Sequence, residues 1–230
     1  IVKLLSARAE EHVATVEANR IVSGVVAAMD AEKMGRFVDS VFGSTTAGNA
    51  VPRAVSADSG QFVKYLPRAT AEKTDSVVQL VAVAFVRHPD GGFYVFHRSK
   101  TEQRTQLAGK LTIVVGGHVD SEDRLLGEGG RNAVENCLYR ELREELTHLD
   151  LPMLAPRFGI RVGDTIMGQR HLALVYEATT FSRKVSPVNI PGAGDFENTV
   201  QTMTLPEMVA IRSQFDDWSQ SIIEQLASAP

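Results

Sequence analysis

Cysteine is nearly absent from the sequence, occurring once among 230 residues, and tryptophan also occurs once. A single thiol, Cys137, excludes an internal disulfide, so we expect a protein of a reducing compartment and a cytoplasmic location. Cys137 lies one helical turn before a cluster of glutamates and has no histidine beside it in a partner role. This pattern favours a packed, inert thiol over a catalytic nucleophile.

Long apolar runs and clustered basic segments are also lacking. The longest apolar stretch, 77–86, is interrupted by Gln79 and is too short to span a bilayer, which needs about 20 residues. The sequence begins without a signal-peptide pattern, so no membrane association is expected. With a net charge of −4 and no basic cluster, sequence-independent binding to nucleic acid is not expected either. The hydrophobic content of 43% and charged content of 23% indicate an ordinary globular protein.

The most informative segment is 138–146, which reads LYRELREEL. On a helix, Glu141, Glu144 and Glu145 lie at i, i+3 and i+4, so their carboxylates share one face. A hard divalent cation would relieve their mutual repulsion, because Mg²⁺ binds carboxylate oxygens. A solvated acidic face with neighbouring arginines is the alternative. Residues spaced by four predict an apolar ridge on another face of this helix: Val134, Leu138, Leu142 and Leu146.

A second pattern lies upstream, where the apolar run 111–115 leads into Gly116, Gly117 and His118. Glycine at a strand end lets backbone approach a ligand closely. The strand, the Gly-Gly pair and the acidic helix together resemble the Nudix hydrolase family. The box of that family is written G-x5-E-x7-R-E-U-x-E-E-x-G-U, where U is aliphatic. Five residues of the predicted helix match the box in order: Arg140, Glu141, Leu142, Glu144 and Glu145.

The sequence departs from the box at three places. From Gly117 to Arg140 there are 23 positions where the pattern has 14, so the loop is about nine residues longer. Eight positions before Arg140 stands Asn132 instead of Glu, and Gly127-Glu128 is a candidate for the displaced Gly-Glu pair. Thr147-His148 replaces the final Gly-U. The long insertion and the Gly-Gly-His segment resemble a poorly characterised branch of the family, described as predicted phosphoesterases.

The resemblance implies an α/β (α+β) protein with the Nudix fold, in which a mixed β-sheet is sandwiched between helices. It implies metal-dependent hydrolysis of a phosphoanhydride bond in a small molecule, commonly a nucleoside diphosphate derivative, with Mg²⁺ or Mn²⁺ as cofactor. The implied metal ligands are Glu141, Glu144, Glu145 and the carbonyl of Gly117. Glu141 either binds metal or acts as a base, and Arg140 orients a glutamate, so Glu141, Glu144 and Arg140 form the implied catalytic set.

Further residues are candidates for contact with the substrate. Arg98 and Lys100 end a predicted hairpin strand and resemble the basic residue that lies near the substrate in the family. A planar guanidinium suits a phosphate, and a solvent-facing arginine is the alternative. His118 is a candidate substrate ligand or a structural hydrogen-bonding residue. Later carboxylates that could complete the site are Glu197, Asp195 and Glu177.

The remaining chain is divided by pattern. Residues 1–60 are interpreted as an N-terminal extension that packs on a Nudix domain at 61–230. Alternatively, the whole of 1–230 is a single domain. Residues 1–50 could also form the contact of a homodimer. Partial alternation within 11–21 predicts a strand, although the same stretch also contains helix formers, and a helix is predicted over 27–42. Further strands are predicted at 76–87, 93–98, 110–115, 158–167 and 168–177, with a connection over 152–157 before the last two of them. A long loop over 182–197 and one or two helices within 205–226 follow.

A charged segment before the first long strand also resembles the same branch. Its residues are Arg68, Glu72, Asp75 and Gln79. A surface turn that pairs its own charges is the alternative interpretation. The inserted loop 120–130 carries four acids, and it is either solvated or a lid over the site.

Two other functions remain open. A Nudix-fold nucleotide-binding regulatory module without turnover would explain Asn132 at a glutamate position and the stretched loop. An enzyme similar to isopentenyl diphosphate isomerase would also use a metal and an elongated box. Those enzymes rely on a cysteine near a strand, whereas Cys137 lies on the predicted helix.

Overall fold

The computed structural model describes residues 11–17, 36, 38, 63–99, 107–124, 131–150, 152–160, 170–188 and 196–228. Within this part of the chain the strands are β1 (His12–Glu17), β2 (Val63–Pro67), β3 (Val77–Arg87), β4 (Phe93–Arg98), β5 (Leu111–Thr112), β6 (Val114–His118), β7 (Leu146–Thr147), β8 (Met153–Ile160), β9 (His171–Thr179), β10 (Ser186–Pro187) and β11 (Phe196–Met203). The helices are α1 (Arg68–Ala71), α2 (Ala133–Glu145), α3 (Leu205–Ala210) and α4 (Asp217–Ser228), with 3₁₀ turns at Glu122–Arg124 and Arg212–Gln214.

Strand β3 is the centre of the main sheet. It pairs in parallel with β9 along one edge, and β1 and β6 pair antiparallel with successive parts of its other edge. Its run of apolar, β-branched residues suits a strand that is buried on both faces. Because side chains alternate along a strand, Ala82 and Ala84 belong to one core, and Val83 and Phe85 belong to the other.

The two cores place helices on both faces of the sheet. The first core takes the apolar ridge of α2, including Leu138 and Leu142. The second core takes Ile222 and Ile223 of α4. The predicted mixed sheet between helices is therefore confirmed. In the described part of the chain, no helix is both long enough and apolar enough to cross a membrane.

The start of the chain contributes a strand to this sheet. The prediction of a strand within 11–21 is confirmed by β1, which pairs with β2 and β3. Most of the predicted helix 27–42 lies outside the described residues. Within this range only residues 36 and 38 are described, and both are helical. The predicted domain boundary at residue 60 stays a prediction.

The predicted hairpin of β3 and β4 forms only at its turn. Arg87 pairs with Phe93, and beyond that point β4 pairs with β5 and β11 instead. The reason is that β6 occupies the edge of β3 that a continued hairpin would need. The strand assignments for 76–87 and 93–98 are confirmed, and the two strands pair antiparallel next to their turn.

Two predicted connections contain strands. The segment 152–157 was expected to be a linker, but β8 begins at Met153 and pairs with β9. The expected loop 182–197 contains β10 and the first residues of β11. Strands β8 and β11 each pair with one neighbour and keep exposed residues, and β8 includes Pro156. Such edge strands lack the apolar run that identified β3.

Helix α2 begins with a capping box. The side chain of Asn132 accepts a hydrogen bond from the Glu135 N–H at 2.9 Å, and the Glu135 carboxylate accepts one from the Asn132 N–H at 3.3 Å. This reciprocal pair satisfies two of the donors that a helix start leaves open. Asn132 therefore occupies its position as a helix cap.

Candidate functional site

The Glu141 carboxylate lies directly on the backbone of Gly117. A Cβ atom added at Gly117 would overlap Oε1 of Glu141, so glycine is what allows the acid to sit against strand β6. The guanidinium of Arg140 donates a hydrogen bond to the same Oε1. The structure thus brings together three residues that the sequence assigned to one site.

The environment of Glu141 favours its neutral form. Burial raises the pKa of the Glu141 carboxyl above its ordinary value, and the charges of Glu144 and Asp123 raise the pKa further. Arg140 acts in the opposite direction by charge and by hydrogen bonding. The carboxyl group therefore has a higher affinity than usual for a proton.

Asp123 anchors Arg140 from the inserted loop. The two oxygens of this fully buried carboxylate accept hydrogen bonds from Nε and Nη2 of Arg140, each at 2.9 Å. Oδ2 also accepts the Asp120 N–H at 2.8 Å, and the Asp123 carbonyl accepts Nδ2 of Asn136 at 2.8 Å. A bidentate pair of this kind fixes the guanidinium in both position and plane.

Asp123 was not among the predicted site residues, although the spacing of the motif indicates this position. The G-x5-E spacing, counted forward from Gly117, arrives at position 123, where aspartate stands. Counting back from Arg140 crosses the insertion and arrives at Asn132, which the structure shows to be a cap. The extra residues therefore follow Asp123. The other candidate for the displaced Gly-Glu pair, Gly127-Glu128, lies outside the described residues.

Arg98 is engaged with the last helix. Its Nε lies 3.5 Å from Oδ2 of the buried Asp216, and its guanidinium stacks over the ring of Phe196 at 4.9 Å. Oδ1 of Asp216 accepts the Ser219 N–H at 2.8 Å at the start of α4. Arg98 thus ties β4 to α4, and its role in substrate binding stays a prediction. Lys100 lies outside the described residues.

The candidate carboxylates after α2 are placed differently. Glu177 lies between two arginines, with Arg87 Nε at 3.4 Å from Oε1 and Arg157 Nε at 3.7 Å from Oε2. Glu197 is half-buried on β11, and Asp195 lies outside the described residues. Since Glu177 already has two cationic neighbours, Glu197 is the candidate that we retain.

Cys137 is buried on the inner face of α2. Its thiol lies 3.3 Å from the carbonyl oxygen of His118 and 3.7 Å from that of Gly117, toward which it donates. Burial raises the pKa of this thiol well above its ordinary value. The protonated thiol is a poor nucleophile, in agreement with the interpretation of a packed, inert side chain.

The charged segment before β3 forms the surface turn that was its alternative interpretation. Arg68 pairs with Glu11 and Glu72, each at 3.0 Å, and Arg170 pairs with Asp75 at 2.8 Å. Gln79 differs from these residues because it is buried inside the sheet.

The acidic face of α2 has the donor chemistry that a hard cation needs. Glu141, Glu144 and Glu145 are all half-buried. Among the described residues, no three His, Cys, Asp or Glu side chains lie close enough together to hold a metal ion as they are placed. Mg²⁺ is usually held by one or two carboxylates, together with waters and substrate phosphates. Neighbouring glutamates at i, i+3 and i+4 therefore fit Mg²⁺ or Mn²⁺ without a complete protein cage.

Known proteins resemble the chain in structure more than in sequence. No protein-family model and no curated protein matches it. The crystal structure of Tm1382, a proposed Nudix hydrolase, superposes with a TM-score of 0.64 and 17% identity, covering 94% of this chain and 98% of that chain. The chain has the Nudix fold.

Other solved structures match over a smaller part. DR0079 from Deinococcus radiodurans has a TM-score of 0.46 and 21% identity, over 64% of this chain and 81% of that chain. A MutT protein from Methanosarcina mazei Go1 has a TM-score of 0.43 and 14% identity, over 65% of this chain and 95% of that chain. In this Nudix-fold chain, α2 is the helix that carries the residues resembling the box, and its Glu141 lies against the Gly-Gly strand β6.

Proposed function

We propose that the protein is a metal-dependent hydrolase that cleaves a phosphoanhydride bond in a nucleoside diphosphate derivative. The observation that carries this proposal is the Glu141 carboxylate, which lies against Gly117 and is held there by Arg140. In a Nudix fold, this is the junction between the Gly-Gly strand and the box helix. The raised pKa of Glu141 makes its carboxylate a stronger base, which suits a group that accepts a proton from an attacking water molecule.

The residues of α2 would hold the cation beside this carboxylate. Glu144 and Glu145 are the proposed ligands, with Glu141 and the carbonyl of Gly117 as further donors. When bound, Mg²⁺ or Mn²⁺ supplies charge neutralisation for the phosphates and acidifies water. Arg140, clamped by Asp123, keeps Glu141 in place during turnover.

A nucleotide-binding regulatory module is the second candidate. The observations that favour it are aspartate instead of glutamate at position 123, six residues after Gly117, and the insertion that follows it. Such a module would bind nucleotide at the same junction without hydrolysing it.

Turnover by the protein and by Glu145→Gln tests the hydrolase proposal. Phosphate or nucleotide release should be measured on a panel of nucleoside diphosphate derivatives with Mg²⁺ or Mn²⁺. We expect Glu145→Gln to lose at least about a hundredfold in kcat/KM, because a lost metal ligand removes several kcal/mol of transition-state stabilisation. Glu224→Gln, an exposed glutamate on α4, is the matched control and should keep full activity.

Two results would count against hydrolysis at this site. Equal activity of Glu145→Gln and Glu224→Gln would place the chemistry elsewhere. Nucleotide binding without turnover on any substrate would support the regulatory module instead.

Divalent metal should stabilise the protein against heat. A cation present at ten times its dissociation constant stabilises the native state by about 1.4 kcal/mol, which for a chain of this size raises Tm by roughly 3–6 °C. The rise should shrink as the pH falls toward the raised pKa of Glu141, because protons then compete with the cation for the carboxylates. Differential scanning calorimetry with and without Mn²⁺ at several pH values measures both effects. An equal rise in a Glu144→Gln/Glu145→Gln double variant would refute binding at α2.

A further inference from the structure

A polar cluster lies within the sheet on the face opposite α2. It consists of Gln79 on β3, His118 on β6 and His171 on β9, and we call it the Gln–His cluster. Gln79 pairs with His171, and Val81 pairs with His118. Because paired residues of neighbouring strands share a face, the three side chains lie on the face that also carries Val81.

The two histidines are joined across the central strand. Nε2 of His118 lies 3.2 Å from Nε2 of His171, and the rings meet edge to face with centroids 5.2 Å apart. One ring donates its proton to the other, so the pair fixes both ring orientations. The histidines thereby form a rigid polar wall beside Gln79.

Gln79 is the anomalous member of this cluster. Gln79 is only 1% exposed, and neither Oε1 nor Nε2 has a hydrogen-bond partner among the described residues. Leaving one such buried group unpaired destabilises a protein by about 1–3 kcal/mol. The neighbouring Thr15 hydroxyl donates its proton to the Lys64 carbonyl at 2.9 Å, so it has no proton to give to Oε1 of Gln79. An unpaired amide in the central strand calls for a partner that comes from outside the protein chain.

The cluster is continuous with the site on α2. Glu141 contacts Gly117 from one face of β6, and the next residue, His118, belongs to the cluster on the other face. Among the strand pairs of the described residues, β6 pairs with β3 alone, and Gly117 and His118 are both half-buried rather than sealed. Strand β1 pairs with β3 at Gln79, so a ligand held near Glu141 would reach the cluster past the half-buried His118.

We propose that the Gln–His cluster is the subsite that recognises the nucleobase of the substrate. The inference rests on the proposed function, since it assigns the part of the substrate beyond the phosphates. The Gln79 amide presents a hydrogen-bond donor, the NH₂ group, beside an acceptor, the carbonyl oxygen. A nucleobase edge with one acceptor and one donor can pair with both groups, as adenine does with glutamine in protein–DNA complexes. Val81 and Ala173 lie on the same face and supply apolar surface next to the amide.

The variant Gln79→Met separates binding from stability. It keeps the length of the side chain but removes both unpaired atoms, so we expect a higher Tm than in the unaltered protein. Calorimetric titration with ADP, GDP, UDP, CDP and inorganic pyrophosphate, in millimolar Mg²⁺, should show at least tenfold weaker binding of the preferred nucleoside diphosphate. Binding of pyrophosphate, which has no base, should not change. A purely structural glutamine would not give opposite changes in stability and base affinity.

Matched variants make the outcomes decisive. Thr15→Val changes a buried polar neighbour whose hydroxyl is already bonded, so it should leave nucleotide affinity unchanged. If Gln79→Met does not fold, His171→Gln probes the same subsite from β9 and should weaken the same nucleoside diphosphate. The inference is overturned if Gln79→Met binds nucleoside diphosphates as tightly as the unaltered protein does. It is also overturned if the unaltered protein binds pyrophosphate as tightly as it binds every nucleoside diphosphate. The partner of Gln79 would then be an ordered water.

The proposed function fails by a different result. Base-dependent binding that is lost in Gln79→Met, in a protein that hydrolyses no substrate, would uphold this subsite while contradicting hydrolysis. Turnover that depends on Glu145 but not on Gln79 would uphold hydrolysis at this site while contradicting the nucleobase subsite.

Discussion

Replacing Asp123 by alanine should destabilise the protein by about 3 kcal/mol or more. The substitution removes both acceptors of the Arg140 fork and leaves a largely buried guanidinium with less than its full set of partners. Breaking a buried pair by removing one member typically costs about 3–5 kcal/mol. For a chain of this size the loss corresponds to a fall in Tm of roughly 6–20 °C, which thermal and urea unfolding would measure.

Two variants define what the Asp123 result means. Glu122→Ala removes the exposed acid next to it in the same turn and should change stability by no more than about 0.5 kcal/mol. Adding Arg140→Met to Asp123→Ala should recover part of the loss, because no buried charge then remains without its partner. A loss below about 1 kcal/mol in Asp123→Ala would show that the clamp does not hold the loop to α2.

Replacing Gly116 by alanine should cost at least about 3 kcal/mol and disturb strand β6. The added Cβ would overlap the carbonyl oxygen of Ala82 and lie 2.8 Å from Cα of Val83, both backbone atoms of β3. Backbone in the central strand of a sheet cannot move aside as a flexible side chain can. The clash is therefore relieved only by separating β6 from β3. Overpacking and backbone strain both contribute to the free-energy cost. Chemical denaturation gives the free-energy change, and amide hydrogen exchange shows whether the pairing of β6 opens.

The matched control for Gly116 is Gly91 in the turn between β3 and β4. Gly91 also has a positive φ, but no atom lies near the position of an added Cβ. Gly91→Ala isolates the backbone strain and should cost only about 1–2 kcal/mol. Equal losses in the two variants would mean that φ, and not the contact with β3, determines the need for glycine.

Much of the fold could be read from the sequence where residues repeat at a structural period. The apolar run of β3 and the four-residue spacing on α2 predicted elements that face the two cores, and both are confirmed. The first part of β8 and the whole of β11 could not be found in this way, because edge strands are half exposed and lack a continuous apolar run. Their pairing with β9 and β4 is a tertiary contact that local pattern does not encode.

The candidate site was predictable where motif spacing stayed intact and not where the insertion broke it. Arg140 and Glu141 were identified from the helix, and the structure brings them to Gly117. Asp123 was missed because the count started from the wrong end of the insertion. The unpaired state of Gln79 was not predictable either, because sequence shows a polar residue in a strand but not whether its atoms find partners.

The inserted loop is fixed by contacts at both of its described ends. Asp123 is held on one side by Arg140 and Asn136, and Asn132 is held on the other by its own helix. Chain length between two fixed points is thermodynamically inexpensive, since doubling a flexible loop costs only about 0.6 kcal/mol. The nine extra positions can therefore be gained, lost or replaced in evolution without moving the acidic helix. The same interval is a natural place to insert an affinity tag or a fluorescent reporter.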